Sequence, residues 1–253
     1  MKTLDFTALA LPILLLAAAP AIAQSPDPVI AAAVASPDRP AADSARDADR
    51  KPAELLAWAG IKPGDKVADF WAGGGYFTRI FSKVVGAKGK VYGIMPSEMI
   101  VRRANAGDAI KAIAADPKFS NVVEVETPSS TFALPEPVDL VWTSENYHDV
   151  YGGFGADVAA RFGAAVFKAL KPGGVFIVTD HAALAGSGET APKTLHRIDP
   201  AIVKAQLTAA GFVFEGESKL IANPADPHDK GVFDASIRGK TDQFAYKFRK
   251  PAK

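Results

Sequence analysis

The stretch VADFWAGGGYFTRI, Val67 to Ile80, decides how the chain must fold. Lys66–Phe70, a short and mainly apolar run carrying one acid, Asp69, reads as a buried strand. Three glycines follow, Gly73, Gly74 and Gly75. Beyond them Phe77, Ile80, Phe81 and Val84 recur at i, i+3, i+4 and i+7, one face of a helix. A strand, a glycine loop and a helix in that order present unpaired helix N–H groups to a ligand, and glycines allow backbone approach that a Cβ forbids. That is how a nucleotide-like cofactor is commonly held.

Outward from this unit, short apolar runs alternate with amphipathic segments. Lys90–Ile94, Asn121–Val125, Val138–Trp142 and Val175–Thr179 read as further strands. Ser97 and Glu98 open a helix expected to reach about Ala115. Val158, Phe162, Val166 and Leu170 mark another, stopped by Lys171-Pro172-Gly173-Gly174. Asp199 caps a helix that Pro200 begins and Gly211 ends. Phe212–Leu220 and Gln243–Phe248 are strand-like with no helix between them, so they are expected to pair as an antiparallel hairpin. Between them lies a polar loop containing NPADPHDKG. The expectation is an α/β, Rossmann-like doubly wound fold. Its seven-stranded sheet is mostly parallel, with an antiparallel strand from the C-terminal hairpin.

Bulk properties narrow the classes. Residues 1–23 read as a signal peptide: Lys2, an apolar run broken by Pro12 and Pro20, and Ala21-Ile22-Ala23 as a cleavage pattern. The expectation is therefore an exported, periplasmic protein without stable membrane insertion after cleavage. Residues 24–51, rich in Ala, Pro, Asp, Ser and Arg, are expected to be a flexible linker or N-terminal arm, and residues 52–253 one domain. No cysteine is present, which excludes disulfides, thiol catalysis and thiolate metal sites. A formal net charge of +1 gives no footprint for nucleic acid and no polybasic membrane patch.

Asp69-Phe70-Trp71-Ala72-Gly73-Gly74-Gly75 resembles the D-x-G-x-G-x-G motif of class I S-adenosylmethionine-dependent methyltransferases. Leu170-Lys171-Pro172-Gly173-Gly174 resembles that family's post-helix signature. Within it the chain is similar to predicted exported bacterial methyltransferases in which stretches like ENYHD, here Glu145–Asp149, and LHRID, here Leu195–Asp199, recur. The resemblance implies S-adenosylmethionine as cofactor. It places Asp69 near the methionyl amino end, Gly73 and Gly75 at close approach, and Trp71, Gly74, Tyr76, Thr78, Met95, Glu145 and Asn146 around the rest. Three departures stand out. Trp71 replaces the first glycine; Met95 stands where the ribose-binding acid is usual, with Glu98 the nearest acid; and Ser129-Ser130 replaces the acid after strand three. An NAD-binding reading is weaker, because the loop lacks the third glycine of G-x-G-x-x-G and no acid ends strand two.

Ligands of open α/β sheets bind beyond the carboxyl ends of the strands. There the sequence places Tyr147, His148 and His181 as catalytic candidates, the histidines as proton acceptors and Tyr147 facing the sulfonium. The plainer readings are that Tyr147 packs against the sheet and Asp149 caps the next segment. Arg197 is expected to pair with a carboxylate at a helix entry, or with a substrate carboxylate. His228 and Asp229 lie in a loop expected to be solvated, the alternative being that it folds over the site. Four histidines lie in the C-terminal half, three with an adjacent acid, but their spacing matches no local metal motif, so no metal ligands are assigned. The function expected is methyl transfer to a small-molecule acceptor. The alternative is a non-catalytic exported ligand-binding protein on the same fold. A hydrolase is disfavoured because no G-x-S-x-G elbow is present.

Overall fold

The computed structural model describes residues 27–252, so the signal segment expected at residues 1–23 lies outside the described residues. Strand β1 (Lys66–Phe70) is an interior strand of a seven-stranded sheet of order β3-β2-β1-β4-β5-β7-β6. The other strands are β2 (Lys90–Pro96), β3 (Val122–Thr127), β4 (Val138–Ser144), β5 (Leu170–His181), β6 (Val213–Ser218) and β7 (Gln243–Arg249). The first five run parallel. β7 enters between β5 and β6, antiparallel to both, as the hairpin reading requires.

The described helices are α1 (Pro28–Val34), α2 (Ala41–Ser44), α3 (Asp47–Arg50), α4 (Pro52–Ala59), α5 (Tyr76–Val85), α6 (Ser97–Arg102) and α7 (Asp108–Ala115), then α8 (Tyr147–Asp149), α9 (Ala156–Ala169), α10 (Thr190–Thr194) and α11 (Pro200–Ala209). Among the described residues none is long and apolar enough to cross a membrane.

Side chains alternate across the pleat and build two cores. Ala68 and Phe70 face Phe132, Phe162, Phe176, Phe212 and Phe248 beneath α9 and α11. Val67 faces the opposite core, with Trp142 from β4, Phe77 and Phe81 from α5, Leu55 and Leu56 from α4, and Ile30 from α1. Asp69 shares the parity of Val67, so its carboxylate is directed into the second core, under α5.

Three segments differ from the sequence reading. The helix expected from Ser97 to about Ala115 is two helices. Arg103 is extended between them, and Arg102 instead donates to the Gly153 carbonyl (3.0 Å). The fifth strand begins at Leu170, because the stretch that ends α9 is itself paired: Gly173 N donates to Lys250 O (3.0 Å) and Lys250 N to Gly174 O (2.9 Å).

The arm expected to be flexible is folded from residue 27 onward. Asp27 caps α1, Ile30 and Ala33 are buried, and Arg39 is buried against Asp47 (2.6 and 2.7 Å). Its low content of large apolar residues hid this, because the arm is anchored largely by charge. Lys83 holds Asp38 (2.6 Å) and Arg79 holds Asp43 (3.2 Å). Ile30→Ala should therefore lower unfolding free energy by about 2–4 kcal/mol, as for a core position. Urea denaturation of the purified protein measures this; a change under about 0.5 kcal/mol would show an arm that is not part of the folded unit.

Candidate functional site

The strand order reverses between β1 and β4: β1 continues to β2 and β3 on one side, β4 to β5 on the other. Loops leaving adjacent parallel strands in opposite directions open a crevice at their carboxyl ends. The residue just past each strand is a non-glycine in the left-handed region, Trp71 (φ 57°) after β1 and Glu145 (φ 59°) after β4. Asn146 ties the two turns together, its Nδ2 donating to Trp71 O (3.2 Å) and Ser144 O (2.6 Å). Strained torsions of this kind persist where surrounding contacts over-determine them, and they concentrate at functional sites.

Beyond Trp71 the chain turns through Gly73 (φ 57°) and Gly75 (φ 80°) into α5. Gly73 and Gly74 border open space, whereas a Cβ on Gly75 would lie 2.1 Å from Ile113 Cδ1. The first two glycines thus leave room beside the loop, and the third lets α5 pack on α7. Under the loop, Asp69 is buried and accepts from Thr78 Oγ1 (2.6 Å). Burial pushes its pKa up to about 7, against the Thr78 hydrogen bonds and the Arg50 charge. No described cation pairs with it directly. Thr78 is itself buried and orients Asp69 rather than facing solvent.

Tyr76 belongs to the arm as much as to the loop. Its hydroxyl donates to Asp47 (2.5 Å), and the guanidinium carbons of Arg39, Arg46 and Arg50 lie 5.2, 5.7 and 4.8 Å from its ring centroid. Arg50 also pairs with Glu145, so the arm is pinned to the end of β4. The aromatic wall is Trp71, stacked on Phe154 (5.8 Å, 10°), whose other neighbour is Arg102 (4.7 Å). Met95 is buried. Glu98 accepts from Ser129 N (3.0 Å) and Oγ (3.3 Å), bridging the ends of β2 and β3, so the serine that replaces the usual acid anchors the acid nearby.

The catalytic candidates separate. Tyr147 is fully buried, lies against Phe162 (6.2 Å) and donates to Gln206 (2.9 Å), so it packs under the sheet and does not reach the crevice. His148 and Asp180, 32 residues apart, form a buried pair. Asp180 accepts from the His148 backbone N–H (2.8 Å) and lies 2.6 Å from Nδ1. Burial opposes the charge on His148, yet Asp180, Asp149 and Glu145 outweigh it and hold its pKa above the ordinary imidazole value. Asp180 is held below the carboxylate range by His148 despite its burial. Asp149 does not cap a following helix; its Oδ1 lies 3.4 Å from His148 Nε2 and 3.2 Å from His196 Nδ1.

His181 is placed differently. Its Nδ1 meets Thr241 Oγ1 (2.8 Å), and burial pushes its pKa below the ordinary value. It lines a cleft of about 530 Å³ with Arg46, Arg50, Glu145, Arg238 and Lys240, between the arm and the long loop before β7. That loop is pinned by Arg197, buried and bidentate to Asp226 (2.7 and 3.1 Å), which resolves Arg197 as the partner of a protein carboxylate. His228 pairs with Asp242 (3.0 Å) rather than standing solvated. The orienting role of Asp180 and the arm's contacts with Tyr76 were not readable, because both join residues far apart in sequence without local spacing.

Comparisons with known proteins agree on the architecture. Residues 37–127 match the protein-L-isoaspartate(D-aspartate) O-methyltransferase family. A search of curated proteins finds no match. Among solved structures, an S-adenosylmethionine-dependent methyltransferase from Aquifex aeolicus superposes with TM-score 0.56 at 18% identity, over 78% of this chain and 87% of that one. The glycopeptide N-methyltransferase MtfA, in complex with sinefungin, gives 0.54 at 16%, over 80% and 85%. The [4+2]-cyclase SpnF gives 0.58 at 18%, over 84% and 82%. With its seven strands, single antiparallel insertion and glycine loop after β1, the chain has the class I methyltransferase fold.

Proposed function

We propose that this chain is an S-adenosylmethionine-dependent methyltransferase acting on a small-molecule acceptor, exported by its first 23 residues. The observation that carries the reading is Asp69, a buried carboxylate with no direct cationic partner beneath a glycine loop open to solvent. A carboxylate in that position is completed by a cation from outside, and the cofactor's methionyl ammonium fits it. The cofactor supplies a methyl group on a sulfonium, ready for in-line displacement. The loop N–H groups and the α5 N-terminus suit its carboxylate, and Trp71 on Phe154 gives an apolar wall.

The cleft beside Glu145 and His181 is where an acceptor would lie. Burial keeps His181 neutral, so it can take a proton from an acceptor hydroxyl or amine as the methyl moves. Methyl transfer relies mainly on positioning, and the Asn146 clamp between the β1 and β4 turns fixes the two sides of the crevice relative to each other. A second reading rests on Trp71 and on Glu98 being engaged by Ser129: a binding protein on this fold without turnover. The fold alone does not decide, since it also serves a [4+2]-cyclase.

Two outcomes follow. In the unliganded protein, Asp69 keeps a proton between the ordinary carboxylate value of 3.8 and about 7 that the unfolded chain has lost. The native state therefore binds more protons in this window, and stability falls as pH rises through it. Asp69→Asn, which keeps the acceptor for Thr78, should flatten that slope in urea titrations at several pH values; an unchanged slope would place the titration elsewhere. Titrated with S-adenosylmethionine by calorimetry, the wild type should bind more tightly at pH 8 than at pH 6. Asp69→Asn should bind about tenfold to a hundredfold more weakly at pH 8, the loss of one charge-assisted hydrogen bond. A folded wild type that takes up neither S-adenosylmethionine nor S-adenosylhomocysteine at millimolar concentration would overturn the proposal and leave the binding-protein reading.

A further inference from the structure

Asp180 fixes the proton of His148. A carboxylate 2.6 Å from Nδ1 holds that nitrogen as the donor, so Nε2 on the far side is the nitrogen that would give up its proton to an ion. Nε2 faces Asp149 Oδ1 at 3.4 Å, and His196 Nδ1 faces the same oxygen at 3.2 Å. The His196 contact is at the outer edge of hydrogen-bond range, and the His148 contact lies beyond the about 2.7–2.9 Å of a charge-assisted pair. Both separations are also compatible with two ligands sharing an ion. With metal–ligand bonds of about 2.0–2.1 Å, adjacent ligands of a tetrahedral site lie about 3.3–3.4 Å apart. The three donor atoms all lie within 4.8 Å of one another.

We propose that His148 Nε2, Asp149 and His196 Nδ1 form a site for a divalent first-row transition metal, with Asp180 as the outer carboxylate that orients His148. A carboxylate bonded to the remote nitrogen of a metal-bound histidine is the usual arrangement, and it fixes both tautomer and ring direction. Two imidazoles and one carboxylate suit zinc, iron or manganese better than calcium or magnesium. The surroundings are built to hold the donors. His148 is buried and its backbone N–H is also bound by Asp180. His196 is held in the left-handed region (φ 54°) with Phe233 against its ring (5.0 Å). Asp149 and His196 are half exposed, so the ion is reachable from solvent, and three protein ligands leave a position for water or an oxygen of a small molecule. An ion on Nε2 removes His148 from proton transfer and leaves that role to His181. The site does not depend on the cofactor.

The test uses the full chain, stripped with chelator, checked for folding by circular dichroism, and given no cofactor. Equilibrium dialysis against zinc with elemental analysis should find one ion per chain, and cobalt should give visible d–d absorption of a low-coordinate site. His196→Asn, a residue that tolerates the left-handed backbone, and Asp149→Asn should each weaken zinc binding at least about tenfold. Asp180→Asn should weaken it about tenfold to a hundredfold without touching the ion. His228→Asn, in the separate pair with Asp242, should leave it unchanged. Absence of stoichiometric uptake by the folded wild type, or equal uptake by His196→Asn and Asp149→Asn, would overturn the site. Because zinc is the only ligand present, failure here is distinct from failure to bind S-adenosylmethionine.

Discussion

The pairing of β1 with β4 is the constraint on which the rest of the site depends. It joins two halves whose chains depart in opposite directions, so the turns that follow must splay and their ends must be held by something other than the sheet. Asn146 does this with two carbonyls, and Arg50 adds a charge contact to Glu145 from outside the sheet. Trp71 and Glu145, the residues just past the two strands, both take left-handed torsions. The crevice is thus fixed jointly by the backbone of the two turns and by the side chains that tie them.

Burial then gives the acids near this crevice different characters. Asp69 and Asp180 each stand one residue before the end of an interior strand, and both are buried. Asp69 meets a hydroxyl and is driven towards its neutral form, whereas Asp180 meets an imidazole and is driven towards its charged form. One is left to respond to a cation that arrives. The other is already committed to orienting its neighbour.

Sequence patterns revealed the sheet well because its strands are buried runs punctuated by glycine and proline. Lys66–Phe70 has the same limits in sequence and in structure, and the Asp199-Pro200 helix entry is capped as its residues indicate, Asp199 accepting from Ala201 N (2.8 Å). The glycine loop and Asp69 were legible for the same local reason. What stayed hidden was assembled across the chain. Tyr147 could be read as facing the crevice or as packing against the sheet, and only the fold, with Phe162 beside it and Gln206 on its hydroxyl, decides for packing; the arm looked loose because Arg39, Asp43 and Asp47 find partners only in the folded protein. Periodicity cannot report a hydrogen bond that spans 32 residues or an ion pair that spans 95.

The contact between Lys247 and the Trp58 carbonyl (3.0 Å) joins α4 to the last strand across 189 residues. β7 also inserts between β5 and β6 rather than adding at an edge. The sheet therefore cannot be completed during synthesis until nearly the whole chain is available. Ordering over such sequence separations costs loop entropy before any contact rewards it, which makes for slow folding.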